Sequence, residues 1–199
     1  MLTNSYTRIA PRACAIALLG SLLMLGGCAN HSATNPSNYG QRTEDARAID
    51  NTIEDQVNKA LGHADARLAD ARIKAHSHDG RVLLVGQVPS EELHDMAGDI
   101  VSGLRGVDQV HNELAIAARL PASQRMKDTW ITTNVVSRLA TNEHIDSSRL
   151  EVTTENAGVY LMGIVSRGEA KRIVAAVSDV GGVQRIIKVF NYLDDAPSR

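Results

Sequence analysis

The residues of this chain that could support metal or acid–base chemistry are a few histidines and glutamates. His76 and His78 alternate, so on a β-strand both side chains would lie on one face and could begin a metal site. No nearby third ligand is evident, which favours solvated histidines at a sheet edge. Glu91 and Glu92 are typical of the acidic first turn of a helix rather than of an acid–base pair. We therefore predict no metal site and no cofactor.

Nucleophilic catalysis is not indicated either. Serines and histidines occur, but there is no Gly-x-Ser-x-Gly segment of the kind that presents a nucleophile on a sharp turn. Gly86 and Gly163 lie inside apolar runs, where a glycine more often permits a bulge or close helix packing than phosphate binding. We predict a protein without catalytic residues.

The single tryptophan, Trp130, lies beside a helical pattern. Apolar residues recur at Ile131, Val135 and Leu139, a spacing that predicts an amphipathic helix. At 100° per residue, Trp130 lies about 140° away from Val135 and therefore on the polar face. Asp128 or Thr129 is expected to cap the start of this helix.

Two interpretations of Trp130 follow from that position. Arg125, Lys127 and Arg138 are close in sequence, and an exposed tryptophan among cations suits a membrane interface, where its ring sits at the level of the headgroups. The alternative is that Trp130 packs against another domain or a loop. Its solvent exposure separates the two.

The predicted helices and strands around these residues belong to an internal repeat that occurs twice in the sequence. The series Ile53, Val57, Leu61 matches the helical series that follows Trp130 at a separation of 78 residues, and further blocks match at 77 and 76. Each copy predicts helix, strand, strand, helix, strand, with hairpin turns at 78–80 and 155–158. The predicted class is α+β, with a small three-stranded mixed sheet packed on two helices in each copy.

The N-terminal region has the pattern of an exported protein. Arg8 and Arg12 precede an apolar run over 13–25, which is too short to cross a membrane and predicts a secretory signal peptide at 1–27. Residues 28–43 are polar and are expected to form a flexible tether. The remaining predicted boundaries are a first domain at 44–118, a linker at 119–126 and a second domain at 127–195.

The end of the signal resembles the lipobox of bacterial lipoproteins. The segment Leu25-Gly26-Gly27-Cys28 carries this resemblance, which implies that Cys28 is acylated and becomes the first mature residue. Because Ala29 is not aspartate, the resemblance also implies the outer membrane. The other cysteine, Cys14, would leave with the signal, so no disulfide is expected.

The two copies resemble BON domains. The resemblance rests on runs that end at Gly86 and Gly163, on the segment 106–112, and most closely on 128–133 and 152–156. It implies a dual-BON-domain outer-membrane lipoprotein that binds anionic phospholipid, supports envelope integrity and is enriched at the division site. In such proteins the lipid face is the first helix of the second domain, which implies these residues: Trp130, Thr133, Asn134, Ser137 and Arg138.

Charge distinguishes the two copies. Residues 44–118 contain 7 basic and 14 acidic residues, a net charge of −7, whereas 119–199 contain 11 basic and 9 acidic residues, a net charge of +2. Without residues 1–27 the chain has 19 basic and 23 acidic residues, a balance that excludes a general nucleic-acid binder. Anionic headgroups attract basic segments, so the second copy is the expected lipid-binding one.

The expected function is therefore a non-enzymatic, lipid-anchored periplasmic protein that binds anionic phospholipid through its second domain. The competing function is a protein-interaction adaptor, in which Trp130 or the acidic first domain docks an envelope protein.

Overall fold

A computed structural model describes residues 42–193 of the chain. The predicted signal peptide, Cys28 and nearly all of the tether lie outside these residues. The described chain folds into two domains of the same design. The first domain comprises α1 (Glu44–Ala64), a short α2 (Ala66–Asp70), β1 (Arg72–His78), β2 (Arg81–Val88), α3 (Glu91–Ser102) and β3 (Gln109–Ile116).

The second domain repeats this order without the short helix. A 3₁₀ turn at Ser147–Arg149 takes its place before the first strand. The elements of this domain are α4 (Ala122–Ala140), β4 (Leu150–Glu155), β5 (Gly158–Val165), α5 (Arg167–Ser178) and β6 (Arg185–Tyr192).

Each domain contains one three-stranded mixed sheet. The middle strand pairs antiparallel with the strand before it and parallel with the last strand, giving the orders β1-β2-β3 and β4-β5-β6. The two long helices of each domain pack on one sheet face through their apolar stripes, which include Val57 on α1 and Val135 on α4. The predicted α+β class and element order are confirmed.

The predicted cap of α4 at Asp128 or Thr129 is wrong. The helix begins at Ala122, after Pro121, and no side chain caps it. Asp128 is instead buried within the helix, and its carboxylate accepts hydrogen bonds from the amides of Asn156 and Ala157 at 3.0 and 2.9 Å. The aspartate therefore fixes the β4–β5 turn instead of the helix start.

The two mid-strand glycines mark close approaches of neighbouring backbone. Gly86 has a φ of 133°, and a Cβ at this position would lie 1.9 Å from the carbonyl oxygen of Arg72. At Gly163, with a φ of 155°, the corresponding distance to the carbonyl of Arg149 is 2.8 Å. At Gly86 the backbone of β1 excludes a side chain, and at Gly163 the end of the 3₁₀ turn and the Leu150 side chain do so.

The sheet faces that carry no helices pack against each other. On β2, Leu84 faces the core of its own domain, whereas Leu83 and Val85 face the second domain. On β5, Tyr160 and Met162 face the first domain in return. Because both faces of the two central strands are covered, these strands are buried along nearly their whole length.

Polar groups surround this apolar contact. The buried carboxylate of Glu155 contacts the guanidinium of Arg72 and accepts a hydrogen bond from the Gln87 amide at 2.7 Å. The Lys74 ammonium lies 3.4 Å from its other oxygen. A second carboxylate of the second domain, that of Glu151, contacts the His76 imidazole of the first domain. The acidic first domain thus contributes cations to the contact, and the second domain contributes carboxylates.

Candidate functional site

The outer face of α4 presents the predicted site residues to solvent. Trp130 is 59% exposed. Thr133, Ser137 and Arg138 are also exposed, and Asn134 is partly buried. The predicted position of Trp130 on the polar face is confirmed. Of the two alternatives to free exposure, packing against the other domain is not observed, whereas a loop of the same domain does lie beside the ring.

Trp130 is placed by the helix start and by one loop of its own domain. Its neighbour Ile131 is buried, which turns the Trp130 ring away from the core. Gly182, in the loop between α5 and β6, has a φ of 89°. A Cβ at Gly182 would lie 3.2 Å from Ile131 Cδ1 and 3.7 Å from Trp130 Cζ3. The loop therefore runs close beside the ring and leaves its outer side free.

Met126 is a second apolar residue on this face that the sequence did not indicate. It lies one turn before Trp130 and is 73% exposed. The prediction missed it because the helix was expected to start at Asp128, which assigned Met126 to the linker. Among the described residues, five large apolar side chains are exposed, and three of them lie on α4, namely Met126, Trp130 and Val136.

Cations flank this apolar pair, with one partly compensated by an acidic neighbour. Arg125 and Lys127 are exposed and are the residues directly before and after Met126 on α4. Arg138 lies two turns beyond Trp130, and its Nη2 is 3.7 Å from Oδ2 of Asp179. Both side chains of that pair are more than half exposed, so water and salt screen it. The resulting surface is apolar at its centre and mildly basic at its edges.

The corresponding face of the first domain has a different chemistry. Thr52 occupies the position of Trp130, and exposed Asp55 occupies that of Thr133. The first turn of α1 contains Glu44 and Asp45. An anionic membrane would repel such a helix. The asymmetry expected from the charge counts therefore also holds for the two equivalent helix faces.

The interpretation of His76 and His78 as solvated edge histidines is wrong. His78 is 2% exposed, and burial together with the nearby Arg42 guanidinium lowers its pKa. The His76 side chain is 23% exposed and lies in the contact between the domains, with its Nδ1 2.9 Å from Oε1 of Glu151. Local spacing could not indicate this partner, because Glu151 lies 75 residues further along the chain.

Comparison with known proteins identifies the domains. The BON domain family matches residues 49–118 and 127–194. The chain belongs to this family. These two BON domains account for the doubled sequence pattern and for both three-stranded sheets. Over the described residues, no helix is long and apolar enough to cross a membrane.

Relatives with established names extend over most of the chain. The outer membrane lipoprotein DolP of Haemophilus influenzae is 36% identical over 188 residues, covering 89% of this chain and 94% of the relative. The 21 kDa hemolysin of Actinobacillus pleuropneumoniae is 33% identical over 153 residues, covering 76% and 78%. This chain is therefore a two-BON-domain homologue of an outer-membrane lipoprotein.

Similarity to solved structures is more distant. The C-terminal domain of CdsD, a structural protein of the type III secretion system of Chlamydia trachomatis, is 14% identical. The match covers 72% of this chain and 67% of that one, with a TM-score of 0.29.

Proposed function

We propose that this protein is anchored in the outer membrane through acylated Cys28 and binds anionic phospholipid through the exposed face of α4. The observation that supports the proposal most directly is the 59% exposure of Trp130, the only tryptophan, on a helix that also exposes Met126. A soluble surface rarely concentrates large apolar side chains on one helix without a partner. The face consists of Trp130, Thr133, Asn134, Ser137 and Arg138, together with Met126.

The physical roles of the groups on this face differ. Burying the Trp130 ring and the Met126 side chain among acyl chains and headgroups would supply the apolar part of the binding free energy. Arg125, Lys127 and Arg138 would add about 1 kcal/mol each near an anionic surface, less where Asp179 competes. Acyl chains on Cys28 would supply retention, and the tether a high local concentration of the helix at the bilayer. We further propose a role in envelope integrity at the division site.

Because Trp130 is the single tryptophan, the acylated full chain reports directly on this proposal. Reconstituted into vesicles rich in phosphatidylglycerol, the protein should show a blue-shifted Trp130 emission that is quenched by brominated acyl chains. In neutral phosphatidylcholine vesicles, where only the anchor holds the protein, quenching should be weak. Equal and weak quenching in both membranes would contradict the lipid function.

The site is tested by substitution in the mature chain carrying Cys28→Ser, which has no acyl anchor. Trp130→Glu should weaken sedimentation with anionic vesicles by about tenfold or more, because burial of such a side chain contributes roughly 1.5–3 kcal/mol. Ile116→Glu is the matched control, since Ile116 is also an exposed apolar residue, at 55%, but lies on β3 of the first domain rather than on α4. Equal losses in the two variants would contradict the assignment of the face.

A second candidate function, docking of an envelope protein, is favoured by the first domain. Ile49 on α1 is 62% exposed and lines a groove with Ile53 and Arg105. Ile49→Glu tests this candidate in cells. Full vesicle binding combined with lost envelope support would favour the adaptor, whereas normal envelope support would leave lipid binding as the function.

A further inference from the structure

Three metal-ligating side chains converge where the two domains meet. Glu54 from α1 and His76 from β1 belong to the first domain, and Glu151 from β4 belongs to the second. One donor atom from each lies within 4.8 Å of the other two, and all three residues are partly buried. Among the described residues, no other such group of donors is present. The cluster is separate from the α4 face.

The hydrogen bonds around the cluster leave ligand positions available. One Glu54 oxygen, Oε1, accepts the amide of Ser77 at 2.8 Å, which orients the carboxylate. The Nδ1 atom of His76 lies 2.9 Å from Oε1 of Glu151. The other ring nitrogen, Nε2, is buried and has no hydrogen-bond partner. Because Glu151 is itself one of the three donors, an ion bound here would take the place of the proton between His76 Nδ1 and Glu151 Oε1.

The charges around His76 also favour a cation. Arg42 lies 2.7 Å from Asp50 and 3.0 Å from Glu151. With the carboxylate of Glu54, three acidic groups face this one guanidinium, which leaves two formal negative charges while the imidazole is neutral. A divalent ion would balance these two charges.

We propose that Glu54, His76 and Glu151 bind a divalent transition-metal ion that joins the two BON domains, and that Zn²⁺ fits the site best. One imidazole nitrogen and two carboxylate oxygens form a borderline-soft donor set, which suits Zn²⁺ better than Ca²⁺ or Mg²⁺. Donors about 2.0–2.2 Å from a tetrahedral Zn²⁺ lie about 3.3–3.6 Å apart, so small side-chain rotations close the site. Water completes the coordination.

This arrangement gives the ion a structural consequence. Two ligands come from one domain and one from the other, so the complete site exists only while the sheets are packed against each other. An ion that binds the docked arrangement alone stabilises it by an amount that grows with the logarithm of the ion concentration once this exceeds the Kd. The metal would therefore fix the orientation of the acidic domain relative to the domain that presents Trp130.

The test uses the mature chain carrying Cys28→Ser, so that no thiol competes for the ion. Isothermal titration with zinc sulfate should give saturable binding of one ion per chain, and zinc should raise the unfolding temperature. His76→Ala and Glu54→Gln should each weaken binding at least tenfold. Glu54→Gln retains an oxygen acceptor for the Ser77 amide, so this variant tests the site without disturbing the fold. It remains decisive if His76→Ala does not fold.

His94→Ala is the matched control. Its Nδ1 also lies 2.9 Å from a carboxylate oxygen, Oδ1 of Asp95, but this pair belongs to no three-donor group among the described residues. The control should bind zinc as the parent does. The proposal is overturned if the parent shows no saturable binding, if Glu54→Gln binds zinc unchanged, or if His94→Ala loses as much affinity as Glu54→Gln.

Discussion

At the scale of single residues, Asp128 shows how one side chain can stabilise a distant turn. Asn156 and Ala157 have φ values of 47° and 57°, a left-handed conformation that is unfavourable for alanine. The Asp128 carboxylate accepts hydrogen bonds from both of their backbone amides. The side-chain amide of Gln124 donates a third hydrogen bond to it at 3.1 Å. The turn therefore depends on a group on α4 as well as on its own sequence.

Asp128→Ala should lower the free energy of unfolding by about 2–3 kcal/mol, because it leaves backbone amides without an acceptor at a strained, buried turn. Urea unfolding of the full chain measures this change. Thr129→Ala is the control, since the hydroxyl of Thr129 only donates to the Arg125 carbonyl at an exposed position. That variant should stay within about 0.5 kcal/mol of the parent. A small effect of Asp128→Ala would contradict this prediction and mean that the β4–β5 turn is stable without the Asp128 carboxylate.

The sequence could not reveal the role of Asp128. An aspartate just before an apolar helical series fits an N-cap well, and helix propensity alone does not exclude that position. The deciding partners, Asn156 and Ala157, come about thirty residues later. In contrast, the position of Trp130 on the polar face was predictable, because the angular position of a residue on an amphipathic helix follows from local spacing.

At the scale of elements, periodicity identified nearly every helix and strand, while element ends depended on local chemistry. The missed turn at the start of α4 follows Pro121, a residue that readily precedes or opens a helix. The opposite case is α5, which begins at Arg167 and at whose start Ser166 and Glu169 form a reciprocal capping box. Met126 was missed because it lies in this unpredicted first part of α4. It is one of the two exposed apolar residues, with Trp130, at the centre of the proposed lipid face.

The capping box of α5 predicts a pH dependence of stability. Burial acts to raise the pKa of Glu169, but the Ser166 amide and hydroxyl and the Arg149 guanidinium outweigh it, so the pKa is lowered from 4.5. A carboxylate with a depressed native pKa contributes its full stability above the unfolded value. That contribution is lost as the pH falls through the native value.

Glu169→Gln keeps a hydrogen-bonding group at this position but removes the charge that faces Arg149 at 2.6 Å. At pH 7 the variant should be less stable by about 1–2 kcal/mol. The difference should close as the pH falls below about 4.5. Thermal unfolding across this range measures it, with exposed Glu143→Gln as the control. A difference that does not change with pH would show that the charge is not responsible.

At the scale of the whole molecule, the packing of the two sheets is the feature that local patterns conveyed least. The apolar run over 82–85 is continuous rather than alternating, which indicates a strand buried on both faces. That run does not identify what covers the second face. Tyr160 and Met162 provide the cover, and beside this apolar contact Glu155 pairs with Arg72 and Glu151 pairs with Arg42. Such pairs join residues about 70 to 110 positions apart.

Glu155 provides the sharpest test of this coupling. Its side chain is 5% exposed, and Glu155→Ala would leave Arg72 and the buried Gln87 amide without their acceptor. Removing one partner of a buried ion pair costs about 3–5 kcal/mol. Each domain keeps its own core, so the loss should fall on the contact between them.

Calorimetry of the parent should give one unfolding transition, and Glu155→Ala should give two, the first at a lower temperature. Exposed Glu143→Ala should retain the single transition of the parent. A single transition in Glu155→Ala at the parent temperature would show that the apolar contact alone couples the domains.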